Sequence, residues 1–113
     1  MDCLFCKIAA GEIPSKKIYE DETVYAFYDI QPAAPVHFLV IPKAHVMDSC
    51  AQADESGAQI VGHIFQVIAQ LARQLGLEEG GYRVVTNCGE NAGQTVRHIH
   101  FHVLGGGPLG TMA

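Results

Sequence analysis

A chain of 113 residues, 49% apolar and 17% charged, is sized and composed for one globular domain. Its net charge of −5, with no basic stripe, argues against a duplex nucleic acid partner. No apolar run approaches the roughly 20 residues that span a bilayer, and no signal-peptide pattern opens the sequence, so a cytoplasmic protein is expected. The four cysteines, Cys3, Cys6, Cys50 and Cys88, are then expected as reduced thiols and not as a disulfide framework.

Residues 2 to 10 predict a short helix, with Asp2 as a possible N-cap, Gly11 as the stop, and Leu4, Phe5 and Ile8 on its apolar face. Pro14 breaks the chain into strands. Lys17-Ile18-Tyr19 and residues 24 to 28 flank the turn Glu20-Asp21-Glu22, which suits an antiparallel hairpin. Pro32 and Pro35 make a loop of residues 31 to 35. His37-Phe38-Leu39-Val40-Ile41 reads as a buried central strand ended by Pro42, with His37 as a hydrogen-bonded core histidine. Residues 54 to 75 predict the one long helix, with acidic and capping residues at its start and Gly76 as its stop. Ile60, Ile64, Val67, Ile68, Leu71 and Leu75 make its apolar stripe, and Val61, Phe65 and Ala72 broaden it. His63 is expected at its surface or at an interface. Residues 82 to 87 predict a further strand.

The most informative stretch follows. From Arg97 to Leu104, histidine alternates with apolar residues. A period of two predicts a half-buried strand with Ile99, Phe101 and Val103 toward the core and His98, His100 and His102 on the other face. Same-face positions lie about 6.6 Å apart, so one metal ion would not collect all three rings. The loop before it, residues 87 to 95, is rich in glycine, asparagine and small polar residues. Such a loop offers N–H donors to an anionic oxygen, phosphate above all. The sum is an α+β fold: a mostly antiparallel five-stranded sheet, one long helix and a short N-terminal helix, with the helices on one side. Residues 1–113 form a single domain, of which 105–113 read as a flexible tail.

Gly93-Gln94-Thr95-Val96-Arg97-His98-Ile99-His100-Phe101-His102-Val103-Leu104-Gly105-Gly106 resembles the signature of the histidine-triad (HIT) superfamily. The Gly-Gln-Thr before the histidines and the Leu-Gly-Gly after them are similar to the Hint branch, the purine nucleoside phosphoramidases. Segments Phe5 to Ile8, Gly11 to Pro14, Tyr25 to Ile30 and Ala34 to Lys43 resemble Hint segments in the same order. The resemblance implies attack on phosphorus by His100, oriented by the backbone carbonyl of His98. It implies that His102, Thr95, Asn87 and the backbone of Gly93 and Gln94 lie around the phosphate, and that Asp29 takes the ribose hydroxyls. Leu4, Phe5, Ile8, Phe27 and Ile30 match the apolar slot for the purine. The implied partners are purine nucleotides and a second copy of the chain, paired through the long helix and an adjacent strand.

Cys3-x-x-Cys6 alone reads as a redox motif, half of a zinc site, or two inert thiols on a short helix. The resemblance adds that some relatives complete a zinc site at the positions of His45 and His98. It also places His45 near the triad in a proton-transfer network, so ligation and proton relay compete there. No cofactor is expected for the chemistry itself, and no magnesium site is required, since no carboxylate cluster or P-loop is present. Cleavage of dinucleoside polyphosphates, nucleotide transfer and non-catalytic nucleotide binding are the alternative functions.

Overall fold

A computed structural model describes residues 3–111. Helix α1 (Leu4–Ala9) leads into strands β1 (Lys17–Glu20), β2 (Val24–Tyr28) and β3 (Val36–Pro42). Helix α2 (Glu55–Gln74), β4 (Tyr82–Val85) and β5 (Phe101–Gly105) complete the chain. The strands form one antiparallel sheet in the order β1-β2-β3-β5-β4. The expected α+β architecture is therefore present.

Both helices start where side chains satisfy their orphan N–H groups. The Asp54 carboxylate accepts from Gly57 N at 3.1 Å and begins α2. Gly76, at φ 73°, ends it in a backbone region where a Cβ would be strained. Cys3 caps α1 through its sulphur, 3.3 Å from Cys6 N. Asp2, the expected cap, lies outside the described residues.

The helices do not share one side of the sheet. Val24 and Ala26 of β2 and Phe38 and Val40 of β3 pack with Ile64, Val67, Ile68 and Leu71 of α2. Tyr25, Phe27, Leu39 and Ile41, from the alternate positions, pack with Cys3, Phe5 and Ile8 beside α1. A strand's side chains alternate between faces, so α1 and α2 cover opposite faces. This corrects the expectation of one helical side, and it explains why β2, and β3 apart from His37, are apolar on both faces. Each large side chain so buried contributes about 1.5–3 kcal/mol.

Two further expectations change. The histidine strand starts only at Phe101, so His98, in a bend, and His100 lie on the approach to it. The expected flexible tail begins inside β5, which runs to Gly105. A Cβ at Gly105 would meet Leu77 at 3.1 Å and Tyr82 at 3.2 Å, so the close packing there favours glycine. Farther on, Arg83 donates to the Gly110 carbonyl at 2.8 Å.

Candidate active site

Phe101 and Val103 of β5 join the core under α2, so His102 faces the α1 side. His37 of β3 and Leu39 face the same way, because Phe38 and Val40 do not. The site is therefore built on the α1 face, between β3 and β5.

Hydrogen bonds fix the protonation of each ring. His100 Nδ1 lies 2.8 Å from the His98 carbonyl oxygen, so Nδ1–H donates and the Nε2 lone pair is left outward. Phe5 packs edge-on to this ring at 4.9 Å between centroids. Thr86 Oγ1 donates to the His100 carbonyl at 2.8 Å and holds the backbone behind it. His37 Nδ1 accepts from Ala33 N at 3.0 Å, so its proton sits on Nε2. That Nε2–H donates to His102 Nδ1 at 2.9 Å, and His102 must then carry its own proton on Nε2. Asp29 Oδ2 stands 3.5 Å from His37 Nε2.

Burial keeps these rings neutral. It lowers His100 and His37 below the ordinary imidazole range. His102 falls to about 4, first through burial, then through the neighbouring imidazoles of His100 and His37. A neutral imidazole with a bare Nε2 stands beside a neutral imidazole bearing Nε2–H, their rings 5.2 Å apart. That pair offers one nucleophile and one hydrogen-bond donor to the same anionic centre.

Two grooves carry the other candidate site residues. One of about 540 Å³ is lined by Tyr28, Asp29, Ile30, Pro35 and His37. The other, of about 780 Å³, is lined by Leu4, His45, Asp48, Thr95 and Arg97. A larger groove of about 890 Å³ along α2 contains no residue of the row.

Residues 10–109 match the family model of the HIT domain. The chain belongs to the HIT domain family. A histidine triad protein from Clostridium difficile is 49% identical, with a TM-score of 0.94 over 100% of this chain and 97% of that one. A HIT family hydrolase from Legionella pneumophila is 44% identical, with a TM-score of 0.91 over 95% of both chains. A histidine triad nucleotide-binding protein from Candida albicans is 37% identical, with a TM-score of 0.82 over 99% of this chain and 84% of that one.

Within this HIT domain the remaining residues divide. Phe5, Ile8 and Phe27 are buried in the core beneath α1, whereas Leu4 and Ile30 are exposed, Ile30 at 91%. The loop of residues 87 to 95 spends much of its polarity on itself. Gly93 N donates to the Glu90 carbonyl and Gln94 N to the Gly89 carbonyl, both at 3.0 Å. These two N–H groups were expected to face a phosphate, but they close the loop. The Asn87 amide donates to the Ala92 carbonyl at 2.8 Å. Gln94 is buried and ties the loop to the Asp48 carbonyl at 2.6 Å. Thr95, at the loop's end, is exposed beside Leu4 and His45.

The His98 ring is fully buried and turned away from His100. Its Nε2–H donates to the Pro42 carbonyl at 2.8 Å. Its bare Nδ1 lies 3.1 Å from Cys3 Sγ and 3.5 Å from Cys6 Sγ. His45 Nδ1 stands 3.9 Å from Cys6 Sγ, while its Nε2 is 2.6 Å from Asp48 Oδ1. The Asp48 carboxylate, through that hydrogen bond, raises the His45 pKa. The four ligand atoms of Cys3, Cys6, His45 and His98 all lie within 4.8 Å of one another. Two thiols and two ring nitrogens, with Pro42 O and Asp48 as outer acceptors behind the rings, fit a tetrahedral zinc ion.

Sequence reasoning named the triad, Asp29 and the zinc set, and these fall in one region. It missed His37, Thr86 and Asp48. A lone histidine in an apolar central strand was the available signal for His37.

Proposed function

We propose that this HIT domain is a purine nucleoside phosphoramidase of the Hint branch. It cleaves the P–N bond of nucleoside 5′-phosphoramidates, and related aminoacyl-adenylate-like substrates, through a nucleotidyl-His100 intermediate. The observation that carries this is the 2.8 Å contact of His100 Nδ1 with the His98 carbonyl, which leaves Nε2 unprotonated. The kinship with a protein described as a HIT family hydrolase and another described as nucleotide-binding supports it.

In this reading His100 Nε2 attacks phosphorus and forms a P–N bond while the bond to the amine breaks. The amine leaves as it gains a proton. Water then attacks phosphorus, the bond to Nε2 breaks, and the nucleoside monophosphate departs. His102 Nε2–H and Thr95 hold the phosphoryl oxygens, and Asn87 lies near them. Asp29 accepts from the ribose hydroxyls. Leu4, Ile30, Phe27, Phe5 and Ile8 form the slot for the purine.

Cys3, Cys6, His45 and His98 would hold a structural zinc ion, joining α1 to the approach of β5. His45 turns toward this cluster, which favours ligation over proton relay for its ring. His98 serves catalysis through its backbone carbonyl. The domain pairs as a homodimer through α2, where Phe65 is 48% exposed, and through the edge strand β4. Among the described residues no helix is long and apolar enough to cross a membrane, and we place the protein in the cytoplasm.

Release of AMP from adenosine 5′-phosphoramidate tests the activity. Turnover well above that on a dinucleoside polyphosphate supports the reading. The reverse ratio would assign the other HIT activity.

A further inference from the structure

Two thiols outside the histidine row meet at the surface. Cys50 opens the 3₁₀ turn Cys50–Gln52, and Cys88 lies on the loop after β4. Both are exposed. The Cys88 sulphur is 3.3 Å from the Ser49 hydroxyl. The Ala51 N–H donates to that Ser49 oxygen at 3.2 Å, and the Cys50 thiol stands beside the Cys88 sulphur. The turn that begins at Ser49 thus brings a hydroxyl and a second thiol to one sulphur, and Arg97 adds positive charge nearby. The Ser49 hydrogen bond, against a smaller effect of burial, lowers the Cys88 thiol below its ordinary range. Burial, and then the Cys88 charge, raise Cys50. An exposed thiol with a hydroxyl at its sulphur and a second exposed thiol beside it is the arrangement of a redox-sensitive cysteine and its resolving partner. Neither residue belongs to the triad or to the zinc set.

We infer that Cys50 and Cys88 are a peroxide-modified pair that closes to a reversible intramolecular disulfide. The Cys88 thiolate attacks one oxygen of hydrogen peroxide. The O–O bond breaks, hydroxide leaves, and Cys88 becomes a sulfenic acid. The Cys50 sulphur then attacks the Cys88 sulphur. The S–O bond breaks, and the hydroxyl departs as water with the Cys50 proton. Two thiols are oxidised and one peroxide is reduced to water. A dithiol reductant restores both thiols by exchange. The bond ties the loop that carries Thr95 to the segment that carries Asp48.

Peptide mapping of the full chain decides this. Trypsin cleaves after Lys7, Lys43, Arg73, Arg83 and Arg97, so Cys50, Cys88 and the Cys3–Cys6 pair fall in three different peptides. After a stoichiometric dose of hydrogen peroxide and thiol blocking, peptide 44–73 is expected joined to peptide 84–97. The joined mass is two hydrogens below their sum. It should come from protein that migrates as single chains without reductant, and dithiothreitol should release it. In Cys50→Ser the second step is lost, so Cys88 should accumulate as a sulfenic acid captured by dimedone. The inference is overturned if the two peptides stay unlinked and blocked as free thiols. It is equally overturned if the link joins two chains, or if Cys88 in Cys50→Ser takes up no dimedone.

Discussion

His37 Nε2 donates to His102 Nδ1 across 2.9 Å, from the neighbouring strand of the sheet. The bond is set by a chain of donors. Ala33 N–H fixes the tautomer of His37, and His37 fixes that of His102. His102 thereby presents Nε2–H to the side where His100 presents a lone pair.

His37→Ala should therefore impair the reaction without touching the substrate. Turnover should fall about 10- to 100-fold, the scale known for outer partners that orient a histidine. His37→Gln keeps an N–H donor near the same place and should recover part of the loss. Steady-state kinetics of the two variants check this. Equal loss in both would mean that His37 matters only as packing.

The cysteine cluster makes a prediction about metal. Purified protein from zinc-sufficient growth should carry about one zinc per chain with sulphur and nitrogen ligands. Cys6→Ser should lose most of it and melt at lower temperature, because metal affinity is folding free energy. Elemental analysis and X-ray absorption read both. A metal-free wild type with unchanged melting would remove the site.

Much of this was legible in the sequence. The apolar runs at residues 24 to 28 and 37 to 41 and the capped periodic stretch from Asp54 predict their elements to within a residue or two. Apolar residues at both alternate positions of those runs carried the sign of cover on both faces, which α1 and α2 supply. The histidine alternation located the site but overstated the strand. His98 points into the cysteine cluster because β5 pairing begins only at Phe101. Thr86 and Asp48 act through backbone carbonyls or rings brought near only by folding, and no local pattern marks such contacts.

The pair of Asp21 and His63 predicts how stability follows pH. Asp21 Oδ2 accepts from His63 Nε2 at 2.6 Å and so ties the β1–β2 turn to α2. Burial raises the Asp21 carboxyl, but hydrogen bonds from His63, Tyr19, Thr23 and Val24 outweigh it and hold it well below the usual carboxylate range. The Asp21 carboxylate raises His63. A raised imidazole contributes stability below its unfolded pKa and loses it as pH rises through the folded one. A lowered carboxyl contributes above its unfolded pKa and loses it as pH falls through the folded one. The pair is thus worth most between roughly pH 4 and 6.5. His63→Ala should cost about 0.5–1 kcal/mol there, as for a surface pair, and less above pH 8. Urea denaturation at the two pH values measures the gap, and a gap that grows with pH would contradict the assignment.

The central claim is that His100 becomes covalently bonded to the nucleotide. His100→Ala should keep the fold and nucleotide binding, since Asp29 and the purine slot are unchanged, while turnover falls by several orders of magnitude. Rapid quenching of wild-type protein mixed with a phosphoramidate labelled at phosphorus tests the bond itself. Label is expected on His100 within the first turnover, decaying as nucleoside monophosphate appears. Label on any other residue, or near-normal turnover by His100→Ala, would contradict it.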